Sequence, residues 1–147
     1  MRPNSIRLKP RLRATFYAVF GLLFLSGFAW WIVRIWARPS GEADSVPPSP
    51  WEPWLLKTHG AAAMAALVLF GILYLSHILR GWRARRNRFT GSGLVAVCLL
   101  LVVTGYLLYY SGGDTARAVV SLLHLWLGLA FPIIIVTHIW RGRATRR

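Results

Sequence analysis

Four long apolar runs, separated by short polar segments, dominate the pattern of hydrophobic and polar positions along the chain. Each run is long enough to cross the roughly 30 Å hydrocarbon core of a bilayer as an α-helix. The runs predict spans at about 14–36, 54–80, 91–110 and 118–140. Because the connections are short, neighbouring spans should run antiparallel. The pattern therefore predicts an all-α, integral membrane four-helix up-and-down bundle, with residues 1–147 forming a single membrane domain.

The composition agrees with a membrane protein. The chain is 56% hydrophobic, has a mean hydropathy of +0.49 and contains only four acidic residues. A soluble domain of 147 residues cannot bury that much apolar surface. The first span ends in bulky Trp30 and Trp31 instead of small residues, so we interpret it as a retained helix and not as a cleaved signal peptide. Cys98 is the single cysteine and lies within the third span, which excludes a disulfide framework, a zinc pattern and covalent haem attachment.

The 18 lysines and arginines are distributed unevenly between the two sides of the predicted bundle. Fourteen lie in the N-terminal arm, in the segment 80–90 and in the C-terminal tail. The other side carries only Arg34, Arg38, Lys57 and Arg117. The positive-inside rule then predicts cytoplasmic N- and C-termini and a periplasmic Pro-rich loop at 38–53, in a bacterial inner membrane. Because the net charge of +14 is divided into clusters between apolar spans, we expect no nucleic-acid partner.

All four histidines of the chain lie within predicted spans. His59 and His77 are 18 residues apart on the second span, and His124 and His138 are 14 residues apart on the fourth. At about 100° per residue, either spacing places both rings of a helix on one side, near opposite membrane surfaces. Because the second and fourth spans run in the same direction, His59 should neighbour His124 at the outer surface. His77 should likewise neighbour His138 at the inner surface.

Two facing imidazole pairs, one near each surface, form the arrangement that a two-haem cytochrome needs. A haem iron has two axial positions, and one imidazole on each side fills both. The sequence therefore predicts two haem b groups with the axial pairs His59/His124 and His77/His138. An ionisable side chain inside a membrane is costly and marks a functional site. The two ligand spacings differ by four residues, about 6 Å of rise. Helix tilt, a kink at Pro132 or a tilted macrocycle has to absorb that difference, or His59 is not a ligand.

The residues around the predicted ligands suggest how they are supported. The two ligand faces carry small and aromatic residues, namely Ala63, Ala66 and Phe70 on the second span and Gly128, Phe131 and Ile135 on the fourth. Ser121, three residues before His124, could orient that ring, although a bond to its own helix backbone is an equally good interpretation. The cations placed to pair with haem propionates are Arg80, Arg83 and Arg141 at the inner surface and Lys57 and Arg117 at the outer surface.

Several short motifs resemble those of known membrane cytochromes. His124-Leu-Trp-Leu-Gly-Leu-Ala-Phe and then His138-Ile-Trp resemble the last helix of small cytochromes b, and Thr104-Gly-Tyr-Leu-Leu-Tyr-Tyr and His59-Gly fit the same pattern. From about Trp54 to Arg141 the chain is similar to the bacterial cytochrome b561 and formate-dehydrogenase gamma-subunit group, and more closely to DUF4405-type proteins. The resemblance implies haem b held by these histidines and electron transfer between the quinone pool and a partner subunit. The gamma subunits also use a first-helix histidine, which this chain lacks, so its layout is nearer the two-plus-two arrangement of respiratory-complex cytochrome b.

We therefore expect a dihaem b-type cytochrome subunit that contacts the lipid membrane and exchanges electrons with quinone or quinol. A periplasmic oxidoreductase or c-type cytochrome would dock at the loop 38–53. The segments outside the membrane are too short for a catalytic domain, so the chain should act as a subunit, and no residue marks the quinone site. Two alternatives stay open. One is a histidine-based metal or ion transporter, although the predicted spans contain no carboxylate. The other is a cofactor-free anchor of a larger complex.

Overall fold

The structure is a computed structural model that describes residues 8–37, 49–85 and 87–144, and these residues form four long helices. The helices are α1 (Pro10–Ala37), α2 (Glu52–Arg83), α3 (Arg88–Tyr110) and α4 (Asp114–Ala144). Each predicted span lies inside one of them, which confirms the all-helical prediction. The start of the basic arm, most of the loop 38–53 and the last three residues of the tail lie outside the described residues.

The start of α2 differs from the prediction that the polar loop extends through Pro53. The helix begins at Glu52, and proline in the first turn costs no helix hydrogen bond. Oε1 of Glu52 accepts the backbone N–H of Ser49 at 3.1 Å, and the side chain is buried. Glu52, which the prediction placed in the polar loop, therefore lies in the first turn of the second membrane-spanning helix.

The winding of α2 changes near its inner end, where inner denotes the predicted cytoplasmic side. Residues Tyr74–Ile78, which include His77, form a π-helical turn. Such a turn bonds each residue to the fifth one along and inserts an extra residue into the helix, frequently at a functional site. The predicted common face of His59 and His77 required uninterrupted α-helix. The wide turn changes the angular position of His77 on α2 by on the order of tens of degrees, and the common face of His59 and His77 stays a prediction.

The chain's internal contacts divide it into two units, Met1–His77 and Ile78–Arg147. In the first unit α1 packs along α2, and in the second unit α3 packs along α4. The helix α4 continues through Pro132 to Ala144 without ending at the proline. Among the described residues the buried apolar side chains are few, namely Ala62, Ala66, Leu69 and Leu73 on α2 and Phe131 on α4. Their spacing of three and four residues on α2 is typical of a helix-packing seam.

Most other large apolar side chains of the described helices are exposed. Leu25, Met64 and Val136 are each more than 60% exposed, and they lie in the middle of their helices. An apolar surface of this extent is not stable against water. All four helices are long and apolar enough to cross a bilayer, and their backbone hydrogen bonds are satisfied within each helix. The fold is therefore that of a multi-pass membrane protein whose helices contact lipid.

Candidate cofactor site

The four predicted ligands lie on two of the four helices, and all are half-buried. His59 and His77 lie on α2, and His124 and His138 lie on α4. The ring of His59 contacts α1, whereas the rings of His124 and His138 contact α3. Three of the four imidazoles are therefore held at a helix–helix contact, His59 within the first unit and His124 and His138 within the second.

His124 makes the shortest of these contacts. Its Nδ1 lies 2.8 Å from Oγ1 of Thr104 on α3. The same hydroxyl lies 2.7 Å from the backbone carbonyl of Leu100, to which it donates its only proton. Thr104 is one of the few buried polar side chains among the described residues. A hydroxyl that donates to Leu100 can only accept from the ring, so this contact assigns the hydrogen of a neutral imidazole to Nδ1 of His124.

His138 repeats the contact two helix heptads further along. Its Nδ1 lies 3.1 Å from Oγ1 of Thr90. The separation of Thr90 and Thr104 along α3 equals the separation of His124 and His138 along α4. The order of the two contacts shows that α3 and α4 run antiparallel in constant register. The two levels are about 21 Å apart along the helix, which is most of the thickness of a bilayer core.

His59 makes an equivalent contact in the other unit. Its Nδ1 lies 2.9 Å from the backbone carbonyl of Leu23 and 3.3 Å from Oγ of Ser26, both on α1. A carbonyl oxygen can only accept, so Nδ1 of His59 also carries a hydrogen. Ser26 is buried and donates its own proton to the Leu23 carbonyl at 3.1 Å.

A glycine follows each of the three hydroxyl residues and lies beside the ring. A Cβ placed on Gly105 would lie 3.5 Å from Cε1 of His124, and one on Gly91 would lie 3.6 Å from Cε1 of His138. Both distances are ordinary van der Waals contacts. A Cβ on Gly27 would lie only 2.7 Å from Cε1 of His59. The missing side chain is therefore a steric requirement at Gly27, whereas Gly91 and Gly105 provide close contact without excluding a methyl group.

These hydrogen bonds decide which chemistry the rings can perform. With the hydrogen on Nδ1, the lone pair of a neutral imidazole is on Nε2. Metal-ligating histidines usually have this arrangement. The hydrogen bond at one ring nitrogen fixes the tautomer and the orientation of the ring, and the other ring nitrogen binds the metal. The donor set of His59 and His124 therefore fits an axial ligand of haem iron. Among residues 8–37, 49–85 and 87–144, no three His, Cys, Asp or Glu side chains cluster as a multidentate metal site would require.

His77 is placed differently from the other three. It lies in the wide turn Tyr74–Ile78, near the inner end of α2, with its side chain half-buried. The hydroxyl of the preceding residue, Ser76, donates to the Ile72 carbonyl at 2.6 Å. The predicted pairs His59/His124 and His77/His138 join residues of different units, and both pairs stay predictions.

The hydroxyl residues are the part of the site that the sequence interpretation missed. It considered Ser121 as the partner of His124, but Ser121 is exposed and the partner is Thr104 on the neighbouring helix. A signal was present in the sequence: a serine or threonine precedes a glycine at 26–27, 90–91 and 104–105. The spacing of the two threonines also equals the spacing of the two histidines on α4.

Two of the predicted propionate partners have contacts of their own. The ammonium group of Lys57 lies 4.8 Å from the centre of the Trp54 ring. The guanidinium group of Arg117 donates to the Ser111 carbonyl at 3.1 Å. Arg80, Arg83 and Arg141 are exposed at the inner ends of α2 and α4. These cations lie at the two ends of the membrane-spanning helices, as predicted, and their pairing with a propionate stays a prediction.

An open cavity of about 320 Å³ lies between the inner ends of α3 and α4. Its walls are formed by Asn87, Phe89, Thr90, Trp140, Arg141 and Ala144. Thr90 also contacts His138, so one wall of the cavity adjoins a restrained imidazole. Asn87 has left-handed backbone angles (φ 50°, ψ 34°), which are uncommon for a residue other than glycine. The cavity combines aromatic faces with the amide and guanidinium donors that a flat, oxygen-bearing ring would need.

Together these features define a class of protein: an α-helical, multi-pass membrane protein with oriented imidazoles inside its spans. Comparison of the chain with protein-family models, with curated proteins and with solved structures finds no match.

Proposed function

We propose that the chain is a dihaem b-type cytochrome subunit of a bacterial inner membrane, and that it transfers electrons between the quinone pool and a periplasmic redox partner. Under this proposal His59 and His124 would hold one haem, and His77 and His138 would hold the other. One observation carries the proposal: the Nδ1 atoms of three imidazoles are each held by a residue of the adjacent helix, inside an apolar span.

The cost of this arrangement supports a ligand role. A polar ring inside a membrane is unfavourable unless it is satisfied, and such residues usually serve a function. Two of the three contacts include a buried hydroxyl, and all three include a glycine that lies close to the imidazole ring. A histidine that only packed between helices would not need its Nδ1 hydrogen bond repeated in the same register on the same pair of helices.

Some residues of the site hold the imidazole rings in place, and others exclude water from the space between them. The imidazoles would bind haem through Nε2, and Ser26, Thr90 and Thr104 hold the rings of His59, His138 and His124, respectively, in one orientation. Phe131 is buried midway between His124 and His138 and excludes water from the space between the two levels. Haem, when bound, supplies one-electron chemistry with both axial positions filled. Arginines at the inner ends of α2 and α4 provide positive charge for propionates.

Quinone exchange is assigned to the cavity beside Thr90. The cavity lies between the ends of α3 and α4 that the charge pattern predicts to face the cytoplasm, and a lipid-soluble ring would reach it from the bilayer. Trp140 and Phe89 offer aromatic faces, and Asn87 and Arg141 offer hydrogen-bond donors for two ring oxygens. A periplasmic oxidoreductase or c-type cytochrome would dock on the opposite side, near the start of α2.

The experiment is a reduced-minus-oxidised absorption spectrum of the purified chain, with the haem content per chain measured by pyridine haemochrome. Replacement of His124 by alanine, and separately of His138, should each remove one of two haems. The matched controls Leu123→Ala and Val136→Ala, which change exposed neighbours on the same helix, should keep both.

A preparation that stays colourless after reconstitution with haem contradicts the proposal. If that colourless protein binds metal ions, it favours a histidine-based transporter. If it binds no metal and the histidine variants still support assembly, it favours a cofactor-free anchor.

A further inference from the structure

The two helical units share part of a side-chain pattern at heptad spacing, with a histidine on the second helix and a hydroxyl residue on the first. On α4 the series is His124, Phe131 and His138, and on α3 it is Thr90, Val97 and Thr104. On α2 the corresponding series is His59, Ala66 and Leu73, and on α1 it is Leu12, Val19 and Ser26. Both middle positions on the histidine helices, Ala66 and Phe131, are buried, and Leu73 is buried as well.

The sequences around the hydroxyl–glycine steps also agree. Residues 22–31 read Leu-Leu-Phe-Leu-Ser-Gly-Phe-Ala-Trp-Trp, and residues 100–109 read Leu-Leu-Val-Val-Thr-Gly-Tyr-Leu-Leu-Tyr. Both stretches lie in the first helix of their unit and present the step to a histidine of the second helix. The α1–α2 and α3–α4 hairpins therefore have the same outer ligand contact.

At the level that corresponds to His138, the first hairpin has neither the histidine nor the hydroxyl–glycine step. Leu73 stands two heptads after His59, where α4 has His138. On α1, Leu12 and Arg13 stand two heptads before Ser26 and Gly27, where α3 has Thr90 and Gly91. At the inner heptad positions of the first hairpin, neither a histidine nor a hydroxyl–glycine step is present.

His77 is four residues beyond Leu73, in the wide turn. Four residues of α-helix would carry a side chain about 40° past a full turn, and the wider turn reduces that overshoot. His77 is therefore on nearly the same side of α2 as Leu73, about 6 Å nearer the inner surface. The four-residue difference between the two histidine spacings is this one turn.

We infer that α1–α2 and α3–α4 are two copies of one ligand-holding hairpin, that Leu73 occupies the inner ligand position of the first copy, and that His77 supplies the displaced ligand from the wide turn. This inference rests on the proposed function. It identifies a second ligand position in the first hairpin, at which an imidazole in place of Leu73 would take over the ligand role of His77.

The test moves the ligand back by one turn. His77→Ala should lower the haem content from two per chain to one. The double variant Leu73→His/His77→Ala should restore the second haem, with low-spin bis-imidazole signals in the electron paramagnetic resonance spectrum. The matched control Leu69→His/His77→Ala, which places the imidazole one turn earlier in the same buried seam, should stay at one haem.

The outer haem reports folding in every variant, because its ligands His59 and His124 are unchanged. Two haems in His77→Ala, or a folded double variant that stays at one haem, would overturn the inference. If the double variant loses both haems, the single variant Leu73→His provides the test. We expect altered electron paramagnetic resonance signals from one haem. Signals identical to those of the wild type would contradict the inference. A wild-type protein without haem, or His124→Ala and His138→Ala variants that keep both haems, would instead contradict the proposed function itself.

Discussion

The ring of His59 lies so close to Gly27 that a methyl group on that glycine would stand 2.7 Å from Cε1 of the ring. The adjacent Ser26 and Leu23 hold Nδ1 of the same ring from the same helix. The contact therefore fixes His59 by two different means, hydrogen bonding at Nδ1 and steric fit against the adjoining Cε1.

Gly27→Ala should displace the His59 ring, because overpacking of a close contact costs about 1–3 kcal/mol. The expected result is loss of the outer haem, measured as haem per chain and as lower thermal stability. Gly21→Ala on the same helix is the control, because a Cβ there meets nothing within 4 Å. Gly105→Ala should have an intermediate or small effect, since its Cβ would make an ordinary contact with His124. Equal behaviour of the Gly21 and Gly27 variants would disprove the steric argument.

Thr104→Val should leave Nδ1–H of His124 without its acceptor while keeping the side-chain shape. Loss of such a supporting hydrogen bond typically weakens metal binding by roughly 10- to 100-fold. It also makes the imidazole a poorer donor, so the midpoint potential of the outer haem should rise. Redox titration measures the change, and Thr104→Ser should retain the wild-type value. Thr137→Val removes an exposed hydroxyl of α4 and should leave the midpoint potential unchanged. An unchanged midpoint potential in Thr104→Val would show that the Thr104 hydroxyl does not tune the ligand.

Trp140→Leu should impair quinone exchange at the inner cavity, because it removes the larger of the two aromatic walls. The expected result is a roughly tenfold higher KM for quinol in quinol-driven haem reduction, corresponding to about 1.4 kcal/mol of binding free energy. Trp126→Leu, an exposed tryptophan in the middle of α4, serves as the control. Haem content should be unchanged in both variants. A normal KM in Trp140→Leu would place quinone exchange elsewhere.

The predicted orientation can be measured by labelling with a membrane-impermeant maleimide. In a Cys98→Ser background, Gly112→Cys lies in the turn between α3 and α4 and should react in intact spheroplasts. Arg85→Cys lies in the turn between α2 and α3 and should react only after the membrane is permeabilised. This result follows from the excess of Lys and Arg on the inner side. The reverse pattern of labelling would mean that both termini face the periplasm.

The number and type of the helices could be predicted from the sequence. A span has to satisfy its backbone hydrogen bonds internally, so a long apolar run leaves the chain no alternative to a helix. The four predicted spans accordingly lie within α1 to α4, and the histidines lie inside them. The same reasoning gave the approximate separation of His124 and His138, because helical rise is constant.

The supports of the imidazoles depended on tertiary structure. A hydroxyl within a helix can bond only to its own backbone or also to a neighbouring helix, and the local sequence is the same in both cases. Packing of α3 against α4 decided that Thr104 does both and that Ser121 faces outward. Packing likewise made Gly27 a steric requirement. The wide turn at His77 was equally absent from the hydropathy pattern, because inserting one residue into a helix changes the phase of its side chains without changing how apolar the segment is.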